Sequence, residues 1–225
     1  MNQSEENLQK KIGIKFKNPE FLHKALLHRS YLNESDESES NERLEFLGDA
    51  ILEFIISKEL FSLYPSLQEG ELTSLRANLV NTDSLAYSAN ELGLGKAIYL
   101  SRGEEKGGGR ESTSLLANTL EALIGALFLD QGVEAAQELI KRFILVKTAD
   151  AMKNLKDAKS LLQEKVQAAG SKAPLYKIIE ESGPDHAKTF IVGVYVGDAE
   201  LSRGLGKSKQ EAEQAAARIA LENFK

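Results

Sequence analysis

The segment NERLEFLGDAILEF carries the first chemical signal. Glu42, Glu45 and Asp49 fall at i, i+3 and i+7, which a helix turning about 100° per residue gathers into one stripe. Leu44, Phe46, Leu47, Ile51, Leu52 and Phe54 surround them, so the helix is expected to be buried over most of its circumference. Arg43 is the nearest cation in sequence, and it points elsewhere on the wheel. Carboxylates held together on such a helix repel one another and lose hydration unless something compensates. A second apolar stretch repeats the device, with Asn118 and Glu121 at i and i+3. Two oxygen-bearing stripes facing each other can hold a cation. The ligands would be all oxygen, which favours magnesium or manganese over zinc and lacks the Glu-x-x-His pairs of a di-iron bundle. A hard cation with open water positions suits water activation and phosphoryl transfer. The competing reading puts these acids on a solvated edge, in surface ion pairs.

The elements that must position these residues are legible from pattern. Over residues 1–147 the chain reads as helical. Asn18-Pro19 suits a helix start, and Asn41 is expected to cap a long helix that Pro65 stops after Tyr64. Further helices are expected at 70–80, from Thr82 to Gly93, from Glu111 to Asp130 and over 133–144. NESDESESN (33–41) reads as a solvated acidic loop, and RGEEKGGGR (102–110) as a flexible connector without the lysine of a phosphate loop. Residues 148–156 are expected to be a linker. From 157 to 225 the pattern changes to α-β-β-β-α: a helix around Leu161, Leu162 and Val166, strands at 176–180, 188–196 and 200–203, and a last helix capped by Ser208 and Glu211. Gly204 and Gly206 are expected to end the third strand, and Ala212, Ala215, Ala216, Ile219 and Ala220 to face inward. The expected fold class is therefore an all-α domain followed by a small α+β domain.

Composition bounds the function. The 225 residues include no cysteine, which removes disulfides, thiol catalysis and cysteine-held metals. His23 and His28 lie on an amphipathic stretch and receive no role. The longest wholly apolar run, Ala122 to Leu129, is far below the roughly 20 residues of a membrane helix. The polar start lacks the core of a secretory signal, so a soluble cytoplasmic protein is the default, with no membrane partner. The net charge of −6 argues mildly against nucleic acid, but the excess acid lies before residue 157, and beyond it charges balance. There Lys207, Ser208 and Lys209 begin a helix, where free N–H groups and the positive helix end attract phosphate.

NERLEFLGDAILEF resembles the signature segment of bacterial ribonuclease III. The resemblance continues through EGELTSLRANLV, the GGGRES loop and LANTLEALIGALFLD, and the C-terminal part resembles a double-stranded RNA-binding domain. It implies a helical endonuclease domain (1–147), a linker (148–156) and an RNA-binding domain (157–225). It further implies a homodimeric hydrolase that cuts double-stranded RNA with magnesium, for which manganese can substitute. The products would carry 5′-phosphate and 3′-hydroxyl ends with short 3′ overhangs, and rRNA and mRNA precursors would be processed. No organic cofactor is implied. By position, Asp49 and Glu121 match the family's catalytic acids, and Glu45, Asp49, Asn118 and Glu121 its metal ligands. Glu42 and Glu69 match supporting acids. Gln163, Gln167, His186, Lys207, Ser208 and Lys209 match RNA contacts. Asn118 stands where many members carry aspartate, and Gln210 where they often carry lysine or arginine. The alternative is a catalytically weak or inactive dimeric binder of double-stranded RNA.

Overall fold

The computed structural model describes residues 2–149, 151, 158–183 and 188–223. It divides into two compact units, Met1–Met152 and Lys153–Lys225.

The first unit is helical: α1 (Gln3–Ile12), α2 (Pro19–Ala25), α3 (Glu42–Leu63), α4 (Glu69–Val80), α5 (Thr82–Leu92), α6 (Arg102–Lys106), α7 (Thr113–Gln131) and α8 (Val133–Phe143). Its centre is the packing of α3 against α7, which buries Leu52, Ile55 and Ile56 with Leu120, Leu123 and Ile124. α7 is long and apolar enough to cross a membrane by length and composition alone, but its middle is buried in this core. Two glycines set the crossing. A Cβ on Gly48 would stand 1.8 Å from the carbonyl oxygen of Glu121, and one on Gly125 would stand 2.3 Å from that of Leu44. No other residue permits backbones this close.

Several expectations need correction. Asn41 sits at the start of α3 but makes no side-chain cap; its buried amide donates to the carbonyl of Ala25 at 3.2 Å. Thr82 is the first residue of α5, and Asn81 is the cap, accepting from the N–H of Ser84 at 2.9 Å. The connector at 102–110 contains a helix, because the Ser101 hydroxyl caps α6 by accepting from the Glu104 N–H. α1, unread in the sequence, forms through a reciprocal capping box between Asn2 and Glu5. α3 is not buried on most of its circumference: Phe46 is 80% exposed, Phe61 75% and Phe54 58%. Helical spacing marks an apolar face without saying whether this chain covers it.

The second unit comprises α9 (Ala158–Ala168), β1 (Leu175–Ser182), β2 (Thr189–Val196), β3 (Ala199–Gly206) and α10 (Lys209–Asn223). The antiparallel sheet has the order β1-β2-β3, with Lys177 opposite Gly193 and Gly193 opposite Arg203. Both helices pack on it through Ala158, Leu162, Val166, Val194, Ala216 and Ala217. Gly204 and Gly206 do not end β3 but belong to it. A Cβ on Gly204 would meet the N of Ala216 at 2.1 Å, so these glycines admit α10 onto the strand. The inner face of α10 is Ala212, Ala216, Ala217 and Ala220; Ile219 is exposed and Ala215 only half-buried. Of the expected linker 148–156, Thr148 and Ala149 are helical, and most of the remainder lies outside the described residues.

Candidate active site

The α3–α7 crossing decides which polar side chains meet. Glu45 and Asp49 flank Gly48 on α3, and Glu121 and Asn118 lie one and two turns before Gly125 on α7. Close backbone contact therefore forces four oxygen-bearing side chains into one neighbourhood. Burial and the charge of Glu42 raise the Glu45 carboxyl above its ordinary range, with Asp49 adding to the effect. A hydrogen bond from Asn118 opposes the shift by favouring the ionised form. Glu121 is pushed up to about 7, first by burial and then by the charges of Asp49 and Glu45. Glu42 differs from them. It is exposed, accepts from the Ser40 hydroxyl at 2.9 Å and lies 3.6 Å from the Arg29 guanidinium. Among the described residues no cation pairs with Glu45, Asp49 or Glu121, so the surface-pair reading fits Glu42 alone.

A cleft of about 360 Å³ opens beside this cluster, lined among others by His28, Glu42, Glu45, Glu104, Ser112 and Asn118. Asp49 and Glu121 are not in its wall. Among the described residues no three His, Asp or Glu side chains are gathered closely enough to form a metal site unaided. The donor set nevertheless suits a hard divalent cation. It is oxygen-only, and two of its carboxyls are held at raised values by burial and mutual repulsion, the condition that a bound cation relieves.

Glu69 stands apart. It begins α4 and shares a different groove with Ser57, Leu60, Phe61 and Arg76. At 1.5 Å per residue, Phe61 lies roughly 18 Å along α3 from Asp49. One chain does not bring Glu69 to the cluster.

In the second unit, Gln163 and Gln167 are exposed one turn apart on α9, beside buried Leu162 and Val166. Lys207, Ser208 and Lys209 are exposed at the start of α10. Ser208 accepts from the N–H of Glu211 at 3.1 Å, and Glu211 accepts from the N–H of Lys207 at 2.8 Å. The expected pairing of Ser208 with Glu211 therefore forms, with the Glu211 carboxylate taking the N–H of Lys207. His186, together with Pro184 and Asp185 of the expected turn, lies outside the described residues.

Sequence reasoning missed His28, Glu104 and Ser112 as walls of the cleft. They come from three separate segments that only the tertiary fold assembles, and no spacing marks them.

With the geometry established, comparison with known proteins is direct. A family model described as Ribonuclease-III-like matches residues 18–148, and the double-stranded RNA binding motif matches 158–224. Ribonuclease 3 of Bacillus cereus (strain G9842) is 48% identical over 220 residues, covering 96% of this chain and 90% of that protein. Ribonuclease 3 of Geobacillus kaustophilus is 47% identical over 223 residues, covering 98% and 91%. The nuclease domain of ribonuclease III from Campylobacter jejuni superimposes with a TM-score of 0.58 at 43% identity, covering 62% of this chain and 94% of that one. That structure is described as flexible in a region involved in dimer formation. Dicer from Giardia intestinalis shares the fold, with a TM-score of 0.51 at 22% identity over 64% of this chain and 19% of that one.

The chain belongs to the ribonuclease III family of endoribonucleases. It pairs a helical nuclease domain with a double-stranded RNA binding motif.

Proposed function

We propose that this protein is a divalent-cation-dependent endonuclease that hydrolyses phosphodiester bonds of double-stranded RNA. One observation supports the reading: at the glycine crossing of α3 and α7, half-buried Glu45, Asn118 and Glu121 lie near exposed Asp49, and among the described residues no cation pairs with these acids. Glu45, Asp49, Asn118 and Glu121 would hold magnesium, or manganese in its place, and their closing on an ion needs side-chain rotation. The ion, when bound, supplies positive charge for phosphoryl transfer. Asp49 and Glu121 orient the attacking water in line with the scissile bond and carry its proton away. Glu42 keeps Arg29 at the cleft mouth. Products would be 5′-phosphate and 3′-hydroxyl ends with short 3′ overhangs, and the substrates precursors of rRNA and mRNA in the cytoplasm.

The exposed Phe46, Phe54 and Phe61 support a homodimer, since a row of aromatic rings this open calls for a covering surface. Glu69, far from the acids of its own chain, is assigned a supporting role in that assembly. We assign residues 1–147 to catalysis, 148–156 to a linker and 157–225 to duplex binding. There Gln163 and Gln167 would meet a minor groove, as would His186, and Lys207, Ser208 and Lys209 phosphates across the major groove.

The test incubates purified protein with perfect duplex RNA, with and without magnesium, beside Glu121→Ala. Magnesium-dependent cleavage that the variant loses supports the reading. Tight duplex binding with no cleavage by either protein would leave a dimeric RNA-binding protein instead.

A further inference from the structure

We propose that His28 is a substrate-contact residue, its Nε2–H donating a hydrogen bond to a ribose 2′-hydroxyl of the duplex in the α3–α7 cleft. The proposal rests on the endonuclease reading above and specifies how that site recognises ribose.

The tautomer follows from the local hydrogen bonds. His28 precedes a 3-10 turn over Arg29–Glu34, and its Nδ1 accepts from the N–H of Ser30 at 3.3 Å. The Ser30 hydroxyl lies 2.8 Å from the same Nδ1. That hydroxyl already accepts from the N–H of Ser101 at 3.1 Å, so its proton is available to Nδ1. Nδ1 is therefore an acceptor, and the neutral ring carries its proton on Nε2. Burial lowers the pKa of the imidazole below its ordinary value, with Arg29 acting in the same sense against Glu104 and Glu42. The ring is thus neutral at pH 7. Among the described residues Nε2 has no hydrogen-bond partner, and the half-buried ring lines the cleft.

The surroundings select the ligand. The same cleft wall holds Glu42, Glu45 and Glu104. Arg29, the cation of that wall, is exposed at the rim and already lies 3.6 Å from Glu42, so a group placed against His28 meets a neutral ring donor beside carboxylate acceptors. A phosphate oxygen can only accept, and it brings negative charge toward acids. A hydroxyl accepts from Nε2–H and donates its own proton to a carboxylate, and Glu104 is within the same wall. The hydroxyl that nucleic acid offers is the ribose 2′-OH, displayed along the wide minor groove of an RNA duplex. His28 then distinguishes RNA from DNA at one nucleotide.

The experiment uses the full-length protein and one duplex RNA carrying a single 2′-deoxy substitution, moved stepwise across the cleavage region. Cleavage is read as kcat/KM in magnesium, and binding is read separately in chelator. The wild type should lose about tenfold at one position, the scale of a single hydrogen bond. His28→Asn retains an acceptor for the Ser30 N–H but withdraws the Nε2 donor. It should cut the all-RNA duplex about tenfold more slowly and be indifferent to that 2′-deoxy position. His28→Gln, whose amide nitrogen reaches the place of Nε2, should recover part of the sensitivity. Unchanged thermal melting separates contact from misfolding. An equal 2′-deoxy penalty in wild type and His28→Asn overturns the proposal, as does a wild type with no sensitive position. If the wild type cuts no duplex at all, the endonuclease reading fails by itself. The chelator arm then decides: a 2′-deoxy binding penalty confined to the wild type upholds the contact, and its absence removes it.

Discussion

Glu5 and Glu121 are both carboxylates folded into the helical unit, and their surroundings treat them in opposite ways. Glu5 is 1% exposed. Burial alone would raise its pKa, but His23 Nδ1 and the Tyr99 hydroxyl, each at 2.8 Å, and the N–H of Asn2 at 3.0 Å outweigh burial and lower it. Glu121 is half-buried and has no such donors among the described residues, so burial first, and then the charges of Asp49 and Glu45, push it up to about 7. A buried acid supplied with donors is part of the scaffold. A buried acid surrounded by other acids stores unfavourable energy, which a protein keeps where chemistry needs it. The first corner fixes α1 to the body; the second is the place where a cation would offset the repulsion.

The sharpest way to break this contrast is to force the crossing apart. Gly48→Ala places a methyl carbon within covalent-like distance of the Glu121 carbonyl. It should cost about 3 kcal/mol or more in urea denaturation and abolish cleavage, with the Glu5 corner left intact. If stability and cleavage both survive, the crossing does not set the site.

Glu5→Gln tests the other side. It keeps the shape and removes the charge, and should cost about 1–3 kcal/mol at neutral pH without altering the magnesium requirement. Its pH dependence has a definite sign. The folded-state pKa of Glu5 is lowered, so the stabilisation is present above the ordinary carboxylate value and is lost as pH falls through the folded value. Wild type and variant should therefore converge in urea stability on acidification from about pH 7 to about pH 3. A constant gap across that range would show that Glu5 acts through shape alone.

Asn118 sharpens the comparison more gently. An amide oxygen can ligate a hard cation but adds no charge. Asn118→Asp should lower the magnesium concentration for half-maximal cleavage by on the order of tenfold, and should raise the cost of the cluster when metal is removed. An unchanged requirement, followed by titrating magnesium against initial rate, would count against Asn118 as a ligand. The smallest effect is expected at the start of α10. Lys209→Ala should weaken duplex binding at all sequences and reduce the salt slope by about one, with cleavage of bound RNA unchanged.

The acid stripe was readable because helical spacing is regular: Glu42, Glu45 and Asp49 needed no tertiary information. So was the later change of pattern, where the helix Ala158–Ala168 gives way to three strands beginning at Leu175. What could not be read was whatever depended on a partner distant in sequence. Asn41 looks like a cap until Ala25 takes its amide. Gly204 and Gly206 look like strand breakers until α10 lies on them. Phe46 and Phe54 look like core because periodicity records an apolar face and not its cover. Glu5 sits in a polar beginning and His23 on an amphipathic stretch, and only folding makes them neighbours. His28 follows the same rule, since its tautomer depends on Ser30 and Ser101 together.

The hydrogen bond from Tyr99 to Glu5 spans 94 positions of chain. During synthesis Glu5 leaves the ribosome long before its phenolic partner exists. At roughly 5–20 residues per second that wait is on the order of 5–20 seconds. Until then α1 has its own capping box and His23, but not the ring that completes the corner. α1 therefore cannot finish docking before Tyr99 has emerged, which sets a lower limit on how early the nuclease domain can close.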